Sequence, residues 1–397
     1  MRASALAVVA LVAAALGATA VLVVGSAAGW IAGDGGTRTV VVPLSEVGPG
    51  EPAAAAPLLG NGFDPARIYA SRSRGVVTIY SFFANGRRSQ GSGFIVSDSG
   101  HVLTNSHVIT SARGGSVARE AASRLYVVFA DGDRIPGTIV GWDIFNDSGV
   151  VKVNPRDHAV SPVPLGDSSR VVVGEPVAAI GSPFGQESSL AVGVVSATER
   201  SIESLTSAYD VSGAIQIDAP INHGNSGGPL LDARGRVIGI NAQIRSDSGN
   251  AEGVGFAIPI NSAKRSMEQL ISTGKVAYAY VGVTTQDVTP ALARRYELGA
   301  SRGALIQSVV DDAPAERAGL RGATDPKNFN GIPISLGGDL IVAFAGRPVE
   351  RAVDVARIVT NSLLPGDTVS VTVLRAGKGK RETVRLRLVE RPLNPGR

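Results

Sequence analysis

Three side chains, taken in one order, could carry nucleophilic chemistry. Ser226 sits within Gly224-Asn225-Ser226-Gly227-Gly228-Pro229, His107 closes Thr104-Asn105-Ser106-His107, and Asp147 follows Asn146 ahead of the apolar run Val150-Val151-Lys152-Val153. A serine hydroxyl is a poor nucleophile at neutral pH. It needs an imidazole to take its proton and a buried carboxylate to hold that imidazole in one tautomer. The three together make a device for acyl transfer, in which Ser226 attacks a carbonyl carbon, His107 acts as base and then acid, and Asp147 orients the ring. The glycines answer a separate need. Two backbone N–H groups converge on one oxygen only where the chain takes unusual dihedral angles and packs closely, and Gly224, Gly227 and Gly228 permit both. The amides of Gly224 and Ser226 are therefore the expected oxyanion hole.

Chain order separates the folds that use such a device. Gly224-x-Ser226-x-Gly228 alone also fits the nucleophile elbow of α/β-hydrolases, where the histidine follows the serine. All four histidines here (His101, His107, His158 and His223) precede Ser226, which leaves that reading without a base. The subtilisin order would need Asp64 or Asp98, and neither has a recognisable setting. His107, Asp147, Ser226 is the order of the chymotrypsin-like double β-barrel. His101 lies on the strand leading into His107 and is expected to face outward, while His158 falls in a Pro-rich loop.

The elements that must hold these residues are short strands. The 397 residues allow two or three domains, and 44% hydrophobic and 5% aromatic content with 49 glycines suits strands joined by tight turns rather than helices. Apolar β-type runs recur from Val76 to Tyr80 through Val254 to Ile258, among them Leu125 to Phe129, Pro136 to Val140 and Val237 to Ile240, enough for two antiparallel barrels with the reacting residues in the cleft between them. Ser262 to Ile271 has the period of an amphipathic helix closing that unit. A smaller unit follows from about Tyr280, with a helix over Val353 to Thr360 and a hairpin of Thr368 to Leu374 with Arg381 to Val389, each strand apolar on one face.

Cysteine is absent, which excludes disulfides, thiol catalysis and cysteine-ligated metal, and without a His-Glu-x-x-His pattern no cofactor or metal is expected. The net charge of +4 comes from scattered arginines. No basic run alternates with aromatics along the chain, so the arginines read as a solvated face and no nucleic-acid partner is expected. Ala3 to Gly33 carries no charge and follows Arg2. About 20 residues span a bilayer, so this stretch is long enough for a single transmembrane helix with the remainder outside the cytoplasm. A signal peptide cleaved near Ser26-Ala27-Ala28 is the other reading, and both export the catalytic part. Residues 34 to 62 have the composition of a flexible tether.

Several further motifs sit among these elements: Gly181-Ser182-Pro183-Phe184-Gly185, Gly193-Val194-Val195-Ser196, Ile215-Gln216-x-Asp218-Ala219 and Gly255-Phe256-Ala257-Ile258-Pro259. With Thr104-Asn105-x-His107-Val108 and the Ser226 hexapeptide, they resemble the HtrA/Deg serine proteases. The C-terminal unit resembles that family's PDZ domain, with Tyr280-Val281-Gly282-Val283 as its carboxylate-binding loop and Ala313-Pro314-Ala315-x-x-Ala318-Gly319-Leu320 following. The resemblance implies a mostly β chain, divided into a transmembrane signal-anchor (1–33), a linker (34–63), a chymotrypsin-like double-barrel protease domain (64–273) and a PDZ domain (274–391). It further implies a membrane-anchored endopeptidase of extracytoplasmic quality control or stress signalling, acting on unfolded or regulatory proteins. The PDZ domain would bind C-terminal peptides and the chain would form a homotrimer. By the same resemblance Ile221 and Ile244 line the S1 pocket and select small or aliphatic residues before the scissile bond. The other reading is a tethered chaperone or peptide receptor with a vestigial triad. Two features depart from the family pattern: His223 where Pro or Arg is frequent, and a long 322–336 segment in the PDZ-like unit. Asn225 lacks the charge with which trypsin-like enzymes capture a new N-terminus. Control by loop rearrangement, around Thr198 to Gly213 and Asn222 to Gly224, is the expectation.

Overall fold

The computed structural model describes residues 62–112, 119–182, 189–221, 224–242, 254–377 and 379–393. The expected membrane helix (1–33), most of the tether, Pro183-Phe184-Gly185, Asn222, His223 and Ile244 lie outside them. Among the described residues no helix is long and apolar enough to cross a membrane.

Asp64 opens helix α1 (Pro65–Arg72): its carboxylate accepts the Arg67 amide at 3.0 Å, and Pro65 takes a first-turn position where its missing N–H costs nothing. Seven antiparallel strands follow: β1 (Val76–Phe82), β2 (Arg88–Ile95), β3 (His101–Thr104), β4 (Arg124–Val128), β5 (Arg134–Pro136), β6 (Thr138–Asp143) and β7 (Ser148–Lys152). They pair in the order β5-β4-β1-β2-β3-β7-β6. Alternate residues, including Val77, Ile79, Ile95, Val102, Val127 and Val151, share one interior. Helix α2 (Ser106–Ile109) is a single turn immediately after β3.

Six more strands close into a barrel: β8 (Pro176–Gly181), β9 (Ser189–Ile202), β10 (Val211–Ile217), β11 (Pro229–Leu231), β12 (Val237–Ala242) and β13 (Gly255–Pro259), in the order β8-β9-β10-β13-β12-β11. Between this barrel and the first sheet, Phe94, Leu103, Val150, Ile180, Leu231 and Ile258 form one continuous apolar seam. Each fully buried side chain of this kind contributes about 1.5–3 kcal/mol, so the seam fixes the two halves, and the cleft between them, as one body. Helix α3 (Ile260–Thr273) then packs Ala263 and Leu270 into that seam and stops at Gly274, whose φ of 75° suits glycine.

In the C-terminal unit β14 (Val283–Val288), β15 (Gly303–Val309), β16 (Leu340–Phe344), β17 (Thr368–Leu374) and β18 (Arg381–Arg387) form a sheet in chain order. Helix α4 (Ala352–Ser362) lays Val355, Ile358 and Val359 on it. The long 322–336 segment folds into its own hairpin, Asp325–Phe329 against Ile332–Leu336. Ala279–Tyr280 pairs with Val389–Glu390, bringing the chain's last strand back to where this unit starts.

The two expected barrels are built differently: the second closes, while the first is a seven-stranded ladder whose ends, β5 and β6, are consecutive around Gly137, so that it wraps on itself. Two expectations need correcting. Pro136 to Val140 is two strands rather than one, because Pro136 has no N–H to continue a ladder and the break falls at Gly137. Finally, much of Thr198 to Gly213 is hairpin rather than loop: β9 reaches Ile202 and β10 begins at Val211, with the register shifting near Glu199, where φ is 58°.

Candidate active site

Asp147 lies in the turn between β6 and β7 with a φ of 45°, a left-handed conformation that Asp tolerates better than most residues. Four contacts hold it there. Its carbonyl accepts Asn105 Nδ2 at 2.8 Å, Oδ1 accepts the Ser106 hydroxyl at 2.8 Å and the His107 amide at 3.0 Å, and Oδ2 meets His107 Nδ1 at 2.7 Å. Burial by itself pushes the Asp147 carboxyl up. The His107 charge and the hydrogen bonds from His107 and Ser106 outweigh it and hold the group below the ordinary carboxylate range. Since Nδ1 of His107 is engaged, Nε2 is left as the ring's working atom.

The serine sits across the seam on the turn before β11. Gly227 has a φ of 87°, and a Cβ there would collide with the Ser92 carbonyl oxygen and the Thr104 hydroxyl; at Gly228 it would collide with the Ile180 carbonyl. The turn is tied down by Ser92 N to Ser226 O (2.8 Å), Gly227 N to Asn241 O (2.8 Å) and Gly228 N to Asn225 O (3.0 Å). Ser226 Oγ is buried and makes no hydrogen bond among the described residues, so its link to His107 is not closed in this arrangement. Such links are often long without substrate and tighten when one binds. Among the described residues neither the Gly224 nor the Ser226 amide donates to another backbone group.

Ser92 was not singled out by its sequence. Its hydroxyl donates to Gly224 O at 2.5 Å and accepts the Ser182 amide at 2.8 Å, which clamps the loop preceding Ser226. Asp143, four residues before Asp147, was missed as well. It is fully buried and accepts Tyr278 Oη (2.5 Å), Ser266 Oγ (2.6 Å) and the Phe145 amide (2.9 Å), while Asn146 Nδ2 donates to the same Tyr278 oxygen at 2.6 Å. Burial pushes the Asp143 carboxyl up despite these donors. Arg391, just after the last strand (Val389–Glu390), stands 5.2–5.3 Å from the rings of Phe145, Tyr209 and Tyr278. No spacing rule marks these residues, because apart from the local Phe145 amide the partners named lie 90 or more positions away.

The remaining candidates are placed as follows. Ile221 is buried in the second barrel's apolar cluster beside Ala219 and Gly255. Asp218 spends a carboxylate oxygen on the Val194 amide at 2.6 Å. His101 bonds Ser97 and Ser99, and His158 stacks on Phe129 and pairs with Asp131, so neither joins the site. Tyr280, Val281, Gly282 and Val283 line a groove of about 470 Å³ together with Val355 and Val359 of α4 and, from the preceding unit, Phe145, Ser201, Tyr209 and Ser212. The Val281 and Gly282 carbonyls accept the Ala315 and Val310 amides, and a Cβ on Gly282 would collide with Ala313.

Comparison with known proteins bears on the fold that carries these residues. Residues 91–240 match the trypsin-like peptidase domain model and residues 279–388 the PDZ domain model. The fold matches the HtrA-type protease AlgW with tripeptide at a TM-score of 0.68 and 31% identity, over 83% of this chain and 98% of that one. The chain belongs to the HtrA/Deg family of serine endopeptidases. A Yersinia pestis serine endoprotease matches at a TM-score of 0.58 and 28% identity, over 83% of this chain and 98% of that one. Among HtrA/Deg relatives, the probable periplasmic serine endoprotease DegP-like of Brucella suis biovar 1 is 37% identical over 309 residues, 78% of this chain and 54% of that protein. Its counterpart in Chlamydia trachomatis serovar D is 39% identical over 289 residues, 73% of this chain and 52% of that protein. The chain thus spans about half the length of the curated relatives it matches.

Proposed function

We propose that this HtrA/Deg chain hydrolyses peptide bonds of unfolded or regulatory proteins outside the cytoplasm. The observation that carries the reading is the Asp147 carboxylate, fixed by Ser106 and the His107 amide and bonded to His107 Nδ1, next to a serine turn where only glycines fit. In this reading Ser226 Oγ adds to the substrate carbonyl as its proton passes to His107 Nε2. The Gly224 and Ser226 amides bind the resulting oxyanion, and the amine leaves with that proton. Water then hydrolyses the acyl-enzyme by the same route. Ile221, with Ile244, lines an S1 pocket without a carboxylate, so small and aliphatic residues are preferred there.

The PDZ-like groove is proposed to take peptide C-termini, with the amides around Val281 and Gly282 capping the carboxylate and the peptide adding a strand beside β14. The relatives' names, periplasmic endoprotease and protease with a bound tripeptide, support an extracytoplasmic, peptide-binding role. We further propose the 1–33 segment as a single-pass anchor, a tether to 63, a protease domain over 64–273, a PDZ domain over 274–391, and assembly as a homotrimer. The test is covalent labelling by a fluorophosphonate together with casein degradation, comparing wild type with Ser226→Ala. Loss of both in the variant is expected. Equal casein degradation by the variant would remove Ser226 from the mechanism.

A further inference from the structure

Arginines and aromatics do not alternate along the chain, but across the strands of the first sheet they do. Phe82 on β1 faces Arg88 on β2 and Arg124 on β4, and Tyr80 faces Gln90 and Tyr126. Arg134 on β5 reaches over this surface, 4.3 Å from the Tyr126 ring and 5.3 Å from Tyr80, while Arg88 and Arg124 stand 5.6 and 5.9 Å from Phe82. All three arginines are exposed, and among the described residues none forms an ion pair. A guanidinium resting on a ring keeps its edge N–H groups free, and that edge matches a carboxylate. The surface is indented by a cavity of about 360 Å³ bounded by Tyr80, Phe82, Arg88, Gln90 and Arg134.

This face runs directly to the nucleophile. Arg88, Gln90 and Ser92 alternate onto the same side of β2. Gln90 Nε2 donates to Ser182 O at 3.5 Å, and Ser92 holds Gly224 and, through its amide, Ser226. Ser92 lies four positions along the strand from Arg88, about 13 Å, the length of four residues of extended substrate. Among the described residues, the edge of β2 away from β1 pairs with β3 only at Phe94 and Ile95. Ile221 and the proposed S1 pocket belong to the second barrel, whereas the arginines stand on the first sheet, on the face that Ser92 joins to Ser226. A chain leaving the scissile bond away from that pocket would run along this face.

We propose that Arg88, Arg124 and Arg134 select substrates carrying acidic residues a few positions after the scissile bond. The proposal rests on the endopeptidase reading and adds a preference to it. The test uses the full-length chain and two fluorogenic peptides, identical through the scissile bond, with Glu or Gln at the third to fifth positions after it. In the wild type the Glu peptide has the higher kcat/KM, by about tenfold at low salt, and the ratio shrinks toward one as salt screens the exposed charges. In the Arg88→Gln, Arg124→Gln, Arg134→Gln triple variant the ratio falls to about one, and the matching triple Lys variant keeps part of it. Because each protein supplies its own ratio, a partly unfolded variant does not distort the result. A wild-type ratio near one, or a preference unchanged in the Gln variant, overturns the proposal. So does a ratio near one accompanied by Arg-dependent binding to phosphatidylserine vesicles, which would make the face a membrane contact. If neither peptide is cut, fluorophosphonate labelling of Ser226 reports on the endopeptidase reading. Fluorescence anisotropy of the same two peptides on Ser226→Ala then decides the preference.

Discussion

Replacing Ser92 with alanine asks whether a hydroxyl outside the triad sets the shape of the nucleophile loop. The change deletes the bond to Gly224 O at 2.5 Å and the acceptor of the Ser182 amide at 2.8 Å, and it keeps the Ser92 amide's bond to Ser226 O. A hydrogen bond contributes about 0.5–1.5 kcal/mol net, so the pair amounts to about 1–3 kcal/mol, or a fall in Tm of roughly 2–10 °C. The catalytic effect follows a different course. Ser92 holds the carbonyl of the Gly224–Asn225 peptide, one unit after the Gly224 N–H; once it is released, rotation at Gly224 can carry that N–H off its aim, and a bias of about 1.4 kcal/mol toward the rotated form leaves about one molecule in ten competent; complete loss of the Gly224 donor costs about 10²–10³ in kcat. Hydrolysis of a neutral peptide, with kcat and KM measured separately, should show kcat and kcat/KM falling together by at least about tenfold, since an oxyanion donor acts in the transition state. If Tm falls as expected while kcat/KM stays within about twofold of wild type, Ser92 supports the fold and does not shape the oxyanion loop.

Asp147→Asn removes the charge that orients His107 and should lower kcat/KM by about 10³–10⁴-fold in the same assay; a loss below tenfold would mean another group holds the ring. Gly227→Ala places a Cβ against the Ser92 carbonyl and the Thr104 hydroxyl, so fluorophosphonate labelling of Ser226 should become at least about a hundredfold slower, and near-normal labelling would show that the turn can move aside. Tyr278→Phe strips the buried Asp143 of one donor and Asn146 of its acceptor. It should cost about 1.5–3 kcal/mol by denaturant unfolding, and a cost under about 0.5 kcal/mol would mean the hub is dispensable. His158 is raised above its ordinary value: burial lowers it, but the hydrogen bond and charge of Asp131 prevail. Its stabilisation is therefore full below about pH 6.5 and is lost as pH rises through the higher folded value. The Tm difference between wild type and Asp131→Asn should accordingly be positive at pH 6 and vanish in the alkaline range. A difference that does not change with pH would refute the pairing.

The parts of this chain that are legible in sequence are those whose chemistry restricts residue type within a few positions. A turn that must present a serine and two amides admits only glycine at Gly227 and Gly228, because any Cβ meets backbone, and that leaves a mark in six consecutive letters. The one-turn helix after β3 is similar: Asn105, Ser106 and His107 all bond the same aspartate, so the motif around the histidine carries more information than the histidine alone. Period-two alternation likewise gives the C-terminal hairpin, where Val369, Val371 and Val373 pair with Leu386, Val384 and Glu382. The break at Pro136 and Gly137 was lost because an apolar run reads as one strand unless the missing proline donor is counted against its neighbours.

What could not be read is whatever the register assembles. Arg88, Arg124 and Arg134 are scattered arginines in the sequence, and scattered charge is correctly taken as solvated face when nothing fixes its neighbours. The antiparallel pairing of β1 with both β2 and β4 puts Phe82 between Arg88 and Arg124, so a surface with a definite ligand chemistry comes from residues that no local pattern relates. The Asp143 hub has the same origin on the interior side. A buried carboxylate is tolerable only with donors around it, and its donors come from the turn after β6, from α3 and, through Tyr278, from the segment entering the C-terminal unit. Arg391, just after the Val389–Glu390 strand, then joins the aromatic cluster beside the Asp147 turn. The residues before Asp147 and the end of the C-terminal unit are therefore packed against one another, through contacts that make sense only once both have folded.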